Sequence, residues 1–319
     1  MQANRYKKRI SGPVVFVSII VGIIIFINVW SSVINGLMGG DVSYPREGNL
    51  VEMIYVEGTI AEGETSYNHA WTINLINELM YDDSNHGIFL YVNSPGGGIY
   101  ESDELYLKLK EYKAYTGRPV YSYMAQTAAS GGLYVCMAAD KIYANRMTMT
   151  GSIGVIMSLT DTTGLQELIG IKEVNVTSGV NKAMGNPLTD EQREILQIMV
   201  DESYDIFLDV IAESRTKLTK EKIKKIADGR VYSAKQAKEF GLIDEIATVD
   251  EAMNAFITEN GLQSCHWYAE EPPKVGLLDL LLGVSSNLEP ATALGQFSEI
   301  NSYIEKNKTP RLMYYYNGK

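Results

Sequence analysis

The sequence contains few of the residues that build metal sites, disulfide frameworks and histidine-based catalytic triads. Among its 319 residues there are only two cysteines and three histidines. Cys136 and Cys265 form no CxxC motif, and His69, His86 and His266 do not show metal-ligand spacing. We therefore expect no metal or other cofactor, and no histidine stands in an obvious place for a Ser-His-Asp triad. Whether the two cysteines pair cannot be read from their positions.

Basic residues are also scarce, and several of them are concentrated at the N-terminus. The chain has 28 Lys and Arg against 39 Asp and Glu, a net charge of -11. Arg5, Lys7, Lys8 and Arg9 are the only charged residues before Asp41, so the rest of the chain has 24 basic and 39 acidic residues, a net of -15. A body of this charge repels nucleic acid phosphates, and no nucleic acid partner is expected.

Charge is absent altogether from Ile10 to Gly40, and residues 13–30 are nearly unbroken apolar sequence. This length can cross a bilayer. A cleavable signal peptide is the alternative, but no clear Ala-x-Ala site follows. Because the basic cluster precedes the span, the N-terminus is expected in the cytoplasm and the acidic body outside a prokaryotic type of cell membrane, as a single-pass protein. The predicted divisions are a basic N-terminus (1–12), a transmembrane anchor (13–36), a linker (37–48), a main domain (49–260) and a C-terminal extension (261–319).

Beyond the linker, strand-like and helix-like patterns alternate. Strands are predicted at 50–60, 87–92, 119–124, 141–144, 154–157 and 171–176, and a strand-like tail at 310–316. Helices are predicted at 65–81, 101–115, 189–215 and 219–227, with a short helix between an N-cap at Ser233 and a C-terminal Gly241. This alternation predicts an α/β architecture with parallel strands, whose loops gather at the carboxyl ends of the strands.

One stretch, residues 126–139, places Ser130 where a predicted strand turns into a helix. A helix N-terminus offers unpaired N–H groups, which suits a nucleophile, although serine is also an ordinary N-cap. A serine nucleophile needs a base, and without a placed histidine the simplest base is a lysine kept neutral by burial. Lys182 follows the predicted strand 171–176 and fits best, although most lysines are solvated.

Five motifs follow one another along the chain: Asn-Ser-Pro-Gly-Gly-Gly (93–98), Ala-Ala-Ser-Gly-Gly (128–132), Thr-Gly-Ser-Ile-Gly-Val (150–155), Ser-Gly-x-x-Lys (178–182) and Ala-x-x-x-Gly-Leu-Ile-Asp (237–244). In this order they resemble the signal peptide peptidase A family in its short, bacillus-like form. Each motif alone is weak, and their joint order is specific. The resemblance covers about residues 50–250, the predicted anchor and, more weakly, the tail.

The resemblance implies a Clp-protease/crotonase-like fold of repeated β-β-α units and a serine peptidase with a Ser-Lys dyad. Ser130 matches the nucleophile of the family, Lys182 its general base, and Ser152 the serine that positions the lysine amine. Gly97 and Gly131 match the backbone N–H donors of the oxyanion hole. Each has an ordinary structural reading as a turn or a helix start.

The same resemblance implies the substrates and the assembly. Expected substrates are remnant signal peptides and other short hydrophobic peptides, and a homo-oligomeric ring, an octamer by analogy, is expected to shape the groove. The C-terminal tail is a further candidate occupant of that groove. Two other functions are weighed against this one: a crotonase-like acyl-CoA enzyme, which would need a basic patch for the CoA phosphates, and an inactive membrane scaffold, which would not need Ser130, Ser152 and Lys182.

Overall fold

A computed structural model describes residues 48–64, 66–185, 187–270, 272 and 312–315. The predicted transmembrane anchor, residues 13–36, lies outside these ranges. Within them, every helix is too short or too polar to span a bilayer.

Ten described strands form one mixed sheet with a largely parallel centre. The strands are β1 (Leu50–Ile60), β2 (Asn85–Gly98), β3 (Val120–Ala129), β4 (Lys141–Ala144), β5 (Met149–Gly151), β6 (Ile156–Met157), β7 (Val231–Ser233), β8 (Glu245–Ile246), β9 (His266–Tyr268) and β10 (Leu312–Tyr315). Strands β9, β1, β2, β3, β4 and β8 lie side by side in that order, and every neighbouring pair among them is parallel. The carboxyl ends of the central strands therefore meet at one edge of the sheet.

Eight helices are described, and several of them begin or end at residues that carry the usual local signals. They are α1 (His69–Tyr81), α2 (Ile99–Thr116), α3 (Gly131–Cys136), α4 (Thr163–Leu168), α5 (Asp190–Ser214), α6 (Lys220–Lys224), α7 (Ala234–Phe240) and α8 (Val249–Glu259). Thr189 and Ser233 each form a capping box with the glutamine three residues on. Gly241 ends α7 at φ 82°. The prediction of an α/β architecture is confirmed.

Two apolar cores cover the two faces of the sheet. The larger core joins alternate strand residues such as Leu90 and Met124 to helices α1, α2, α3 and α5. The smaller core packs Phe256 of α8 on Phe89 and Tyr121. Burial on both faces explains the nearly continuous apolar sequence of the central strands.

Two sequence predictions of strands need correction. Residues 171–176 form no strand, and Ile171, Val174 and Val176 are 55%, 83% and 98% exposed. β-branched residues supply strand propensity, but no described strand pairs with this segment, so its backbone has no ladder to join. Conversely, Met149–Gly151 is not among the predicted strands and forms β5, which pairs with both β3 and β7.

The two cysteines do not pair. Both Cys136 and Cys265 are free, and Cys136 is completely buried at the end of α3. Burial raises the pKa of the Cys136 thiol to about 12, because the charged thiolate is poorly solvated there. Cys136 therefore acts as a small core residue and not as a nucleophile.

Candidate active site

Gly96, Gly97 and Gly98, at the end of strand β2, form a segment that we call the glycine edge, where a side chain would have no room. The Ser94 hydroxyl donates to the Gly58 carbonyl at 2.5 Å and accepts from the Gly96 N–H at 3.0 Å. Gly96 has φ 103°, a conformation that favours glycine. A Cβ on Gly97 would lie only 1.9 Å from the Ile60 carbonyl oxygen. This edge therefore requires glycine for both its conformation and its packing.

Ser130 lies directly after β3 in a strained backbone conformation. Its φ is 54° and its ψ is −116°. Its N–H donates to the Gly151 carbonyl at 2.8 Å, and its own carbonyl accepts from the Tyr134 N–H at 2.9 Å. Such a conformation costs about 1–3 kcal/mol and persists only where the surrounding structure enforces it. The Ser130 side chain is buried, and its Oγ has no hydrogen-bond partner among the described residues.

Gly131 brings the start of helix α3 against the glycine edge. A Cβ on Gly131 would lie 3.2 Å from both the Gly97 nitrogen and the Gly96 Cα. The Gly131 nitrogen in turn lies 2.7 Å from the position that a Gly96 Cβ would take. The fold thus gathers the amides of Gly97 and Gly131, the two proposed oxyanion donors, beside Ser130.

Ser152 occupies the equivalent place on the neighbouring strand. Ala129 and Gly151 are register partners in the parallel pair β3 and β5, so Ser130 and Ser152 follow at adjacent strand ends. Ser152 is 7% exposed, has φ 51°, and donates its N–H to the Arg230 carbonyl at 2.8 Å. Among the described residues that are not glycine, Ser130 and Ser152 alone have positive φ. Unusual backbone at both predicted positions indicates a functional constraint.

Lys182 is not brought to this cluster within one chain. It is exposed, and its N–H donates to the Gly179 carbonyl at 3.0 Å in a turn before α5. Because the Ser130 Oγ has no partner among the described residues, the Lys182 amine does not bond to it here. The structure therefore unites Ser130, Ser152 and the two glycine amides, and the role of Lys182 stays a prediction.

His69 is the one buried histidine among the described residues, and both of its ring nitrogens have partners. His69 Nε2 lies 2.7 Å from Glu104 Oε2, and Nδ1 lies 3.1 Å from the Tyr67 hydroxyl. The hydrogen bond with His69 lowers the pKa of the Glu104 carboxyl. With both ring nitrogens occupied, His69 is not the base that Ser130 needs.

A C-terminal strand occupies the groove beside the glycine edge. In β10, Tyr314 pairs antiparallel with Gly97 of β2, and Leu312 pairs antiparallel with Met157 of β6. The Tyr314 carbonyl oxygen lies 2.1 Å from the position that a Gly96 Cβ would take, so its backbone is in direct contact with the edge. The groove therefore accepts an extended peptide by strand addition.

The side chain of Tyr314 fills an aromatic pocket next to Ser130. Its ring stacks on Tyr134 with centroids 4.9 Å apart and lies 4.7 Å from the centroid of Phe207. Its hydroxyl donates to the Ser203 carbonyl at 2.8 Å. Sequence reasoning missed this pocket, because it joins α3 to α5 across more than 60 residues. The position of Tyr134, four residues after Ser130, was the only available signal.

A serine at a strained turn from strand to helix, beside two glycine amides and an extended peptide groove, defines the site of a serine peptidase. The chain matches the family Clp protease over residues 46–172 and Peptidase family S49 over residues 113–263. The first match agrees with the mixed α/β architecture. Both matches include Ser130.

Individual relatives agree with this class. A protein of Enterococcus faecium named for signal peptide peptidase SppA is 34% identical over 82% of this chain and 80% of its own length. Protease 4 of Haemophilus influenzae is 34% identical over 65% of this chain and 34% of its own. The chloroplastic serine protease SPPA of Arabidopsis thaliana is 30% identical over 68% of this chain and 32% of its own. The chain thus spans about a third of the two longer relatives.

The chain belongs to the signal peptide peptidase A family, within peptidase family S49, and it is a serine peptidase. This assignment favours the peptidase over the acyl-CoA enzyme and the inactive scaffold.

Proposed function

We propose that the protein is a membrane-anchored endopeptidase that hydrolyses remnant signal peptides and other short hydrophobic peptides through a Ser130–Lys182 dyad. The observation that carries the proposal is the Ser130 hydroxyl, which is buried and unpartnered beside the amides of Gly97 and Gly131. An anchor at residues 13–36 would hold the peptidase domain at the outer face of the membrane, where cleaved signal peptides remain.

The proposed reaction is acyl transfer in two steps. A neutral Lys182 amine takes the proton from Ser130 Oγ, which attacks the peptide carbonyl carbon, and the carbonyl oxygen becomes an oxyanion that accepts from the amides of Gly97 and Gly131. The Lys182 ammonium then protonates the leaving amine, and the acyl-enzyme forms. Water attacks the ester, giving its proton to Lys182, and the lysine returns it to Ser130. Ser152 is assigned to orient the lysine amine.

Subunit assembly is proposed to complete the site. Burial favours the neutral form of a lysine amine, because it disfavours the charged form, yet Lys182 is exposed in one chain. The segment around it is unusually apolar for a surface, since Leu168, Val174 and Val180 are each more than 80% exposed. Exposed apolar surface of this kind marks an interaction site. A homo-oligomeric ring, an octamer by analogy with the family, would cover it and bury Lys182.

The substrate class follows from the groove and from the aromatic pocket. A synthetic signal peptide should be cleaved within its apolar core, because an extended chain can pair with Gly97 and place a large apolar side chain against Tyr134 and Phe207. The measurement is mass spectrometry of the products formed by the full-length protein in detergent. A polar peptide of equal length is the control, and we expect its kcat/KM to be at least about tenfold lower, since apolar burial is lost. Equal cleavage of the two peptides would contradict the proposed substrate class.

Removal of the strand in the groove should increase activity toward added peptides. A tethered segment has a millimolar effective concentration, so β10 competes with substrate, and deletion of residues 312–319 should lower KM by about tenfold or more. The measurement is steady-state hydrolysis of a fluorogenic apolar peptide.

The matched variant for this deletion is Tyr314→Ala, which keeps the backbone of β10 and loses the stacking on Tyr134. It should lower KM by a smaller factor. Since Tyr314 is part of the larger core, the unfolding temperature of both variants is measured alongside. An unchanged KM in a folded deletion variant would show that β10 does not compete with substrate.

A further inference from the structure

Another buried serine, Ser102, lies against Gly131 and has no role in the reaction described so far. It lies in the first turns of α2, four residues after Gly98 at the end of the glycine edge. Its side chain is completely buried, and its Oγ has no hydrogen-bond partner among the described residues. A buried hydroxyl without a partner is uncommon in native proteins and requires an explanation.

The Ser102 side chain lies close to Gly131. The Ser102 Oγ lies 2.5 Å from the position that a Cβ on Gly131 would take, and the Gly97 nitrogen lies 3.2 Å from the same position. The Ser102 hydroxyl and the Gly97 backbone thus both lie close against Gly131. The negative charge of the tetrahedral intermediate is proposed to develop beside the amides of these two glycines.

Three other helical hydroxyls in the described chain donate to the backbone of their own helix. Thr72, Thr116 and Ser203 each donate to the carbonyl four residues before them, at 2.9, 2.7 and 2.8 Å. This is the ordinary choice for a helical serine or threonine. Ser102 does not make this bond, so its O–H remains free to donate to an acceptor that arrives from outside the helix.

We infer that Ser102 is a third donor of the oxyanion site, whose hydroxyl donates to the oxyanion formed beside Gly97 and Gly131, either directly or through one ordered water. The inference rests on the proposed function of Ser130. A donor without a ground-state partner interacts only once charge has developed, and interactions made only in the transition state raise kcat. The unpaired hydroxyl of the resting protein is then a donor already in place.

The test is Ser102→Ala, compared with Ser122→Ala. Ser122 is also completely buried, and its Oγ has no oxygen or nitrogen partner among the described residues, but it lies within β3 near the Cys136 thiol, eight residues before Ser130. Ser102→Ala should lower kcat by about 10- to 100-fold with KM within about twofold of the wild type, since removal of one oxyanion donor typically costs this much or more. Ser122→Ala should leave both constants within about twofold.

A second readout separates charge stabilisation from a structural effect. A peptide aldehyde forms a tetrahedral adduct with the serine and carries an oxyanion, whereas the matching peptide alcohol binds without one. Ser102→Ala should weaken binding of the aldehyde by the same factor by which it lowers kcat. Binding of the alcohol should stay unchanged. The unfolding temperature should not fall, because an unsatisfied buried hydroxyl is removed.

The outcomes distinguish the two proposals. If the wild type does not cleave apolar peptides, or if Ser130→Ala still does, the proposed function of Ser130 fails. If Ser130 behaves as expected but Ser102→Ala keeps kcat and aldehyde affinity within twofold, the assignment of Ser102 is overturned. An equal loss of affinity for the aldehyde and for the alcohol also overturns it. An equal fall of kcat in Ser122→Ala does the same.

Discussion

Replacing Ser130 by alanine should abolish peptide hydrolysis, with a fall in kcat of about 10⁴-fold or more, as expected when a nucleophile is removed. The side chain is buried, unpartnered and held at φ 54° beside the amides of Gly97 and Gly131. Those amides remain in the variant, so substrate should still bind. The measurement is kcat on a fluorogenic apolar peptide, with peptide binding measured separately by fluorescence anisotropy.

Chemical labelling gives an independent reading of the same residue. A fluorophosphonate should modify the wild type at Ser130, as located by peptide mapping, and should not modify Ser130→Ala. Ser152→Ala is the matched comparison, because Ser152 has the same positive φ at the neighbouring strand end but is assigned only to orient the lysine. It should retain the nucleophile and label more slowly. Modification of a different serine in the wild type would show that Ser130 is not the nucleophile.

The strain at Ser130 can be tested in the same series of variants. Glycine adopts positive φ without a steric cost, whereas alanine does not. Ser130→Gly should therefore unfold at a higher temperature than Ser130→Ala, although both lack the hydroxyl. A lower unfolding temperature for the glycine variant would show that the observed backbone of Ser130 is not strained.

Much of the architecture follows from local signals, and the sequence predicts it well. Thr189 and Gln192 mark the start of α5 because a capping box involves residues three apart. Gly241 marks the end of α7 because its backbone conformation favours glycine. The run from Leu50 to Ile60 is rich in β-branched residues and contains a glycine near its end, and this composition, not its length, favours a strand over a helix.

The remaining features depend on contacts between distant residues, and these have no local signal. The strain at Ser130 arises because its N–H bonds to Gly151, which depends on the register of β3 against β5. Tyr314 and Gly97 pair although they are more than 200 residues apart in the sequence. For residues 171–176 the local propensity is that of a strand, but no partner strand is available within the described chain. Strand formation therefore depends on partner strands that the local sequence does not specify.

Lys182→Ala should reduce kcat by about 10²- to 10⁴-fold, the usual contribution of a general base. The matched control is Lys172→Ala. Both lysines are exposed in the segment between α4 and α5, but only Lys182 lies in the Ser-Gly-x-x-Lys motif. Lys172→Ala should therefore retain full activity. Equal activity of Lys182→Ala and the wild type in the assembled protein would exclude the dyad.

Mixing inactive variants tests where the lysine acts. In a single chain Lys182 is exposed and does not reach the unpartnered Ser130 Oγ, so we expect it to act after assembly, on the serine of a neighbouring subunit. Co-assembly of Ser130→Ala with Lys182→Ala subunits should then restore measurable hydrolysis, because some sites combine an intact serine with an intact lysine. A chain carrying both substitutions, mixed with Lys182→Ala, should restore none, since that mixture contains no intact lysine. The first mixture could stay as inactive as the second while size measurements show mixed oligomers. In that case Lys182 acts within its own chain, and assembly must bring it to Ser130 by moving the segment before α5.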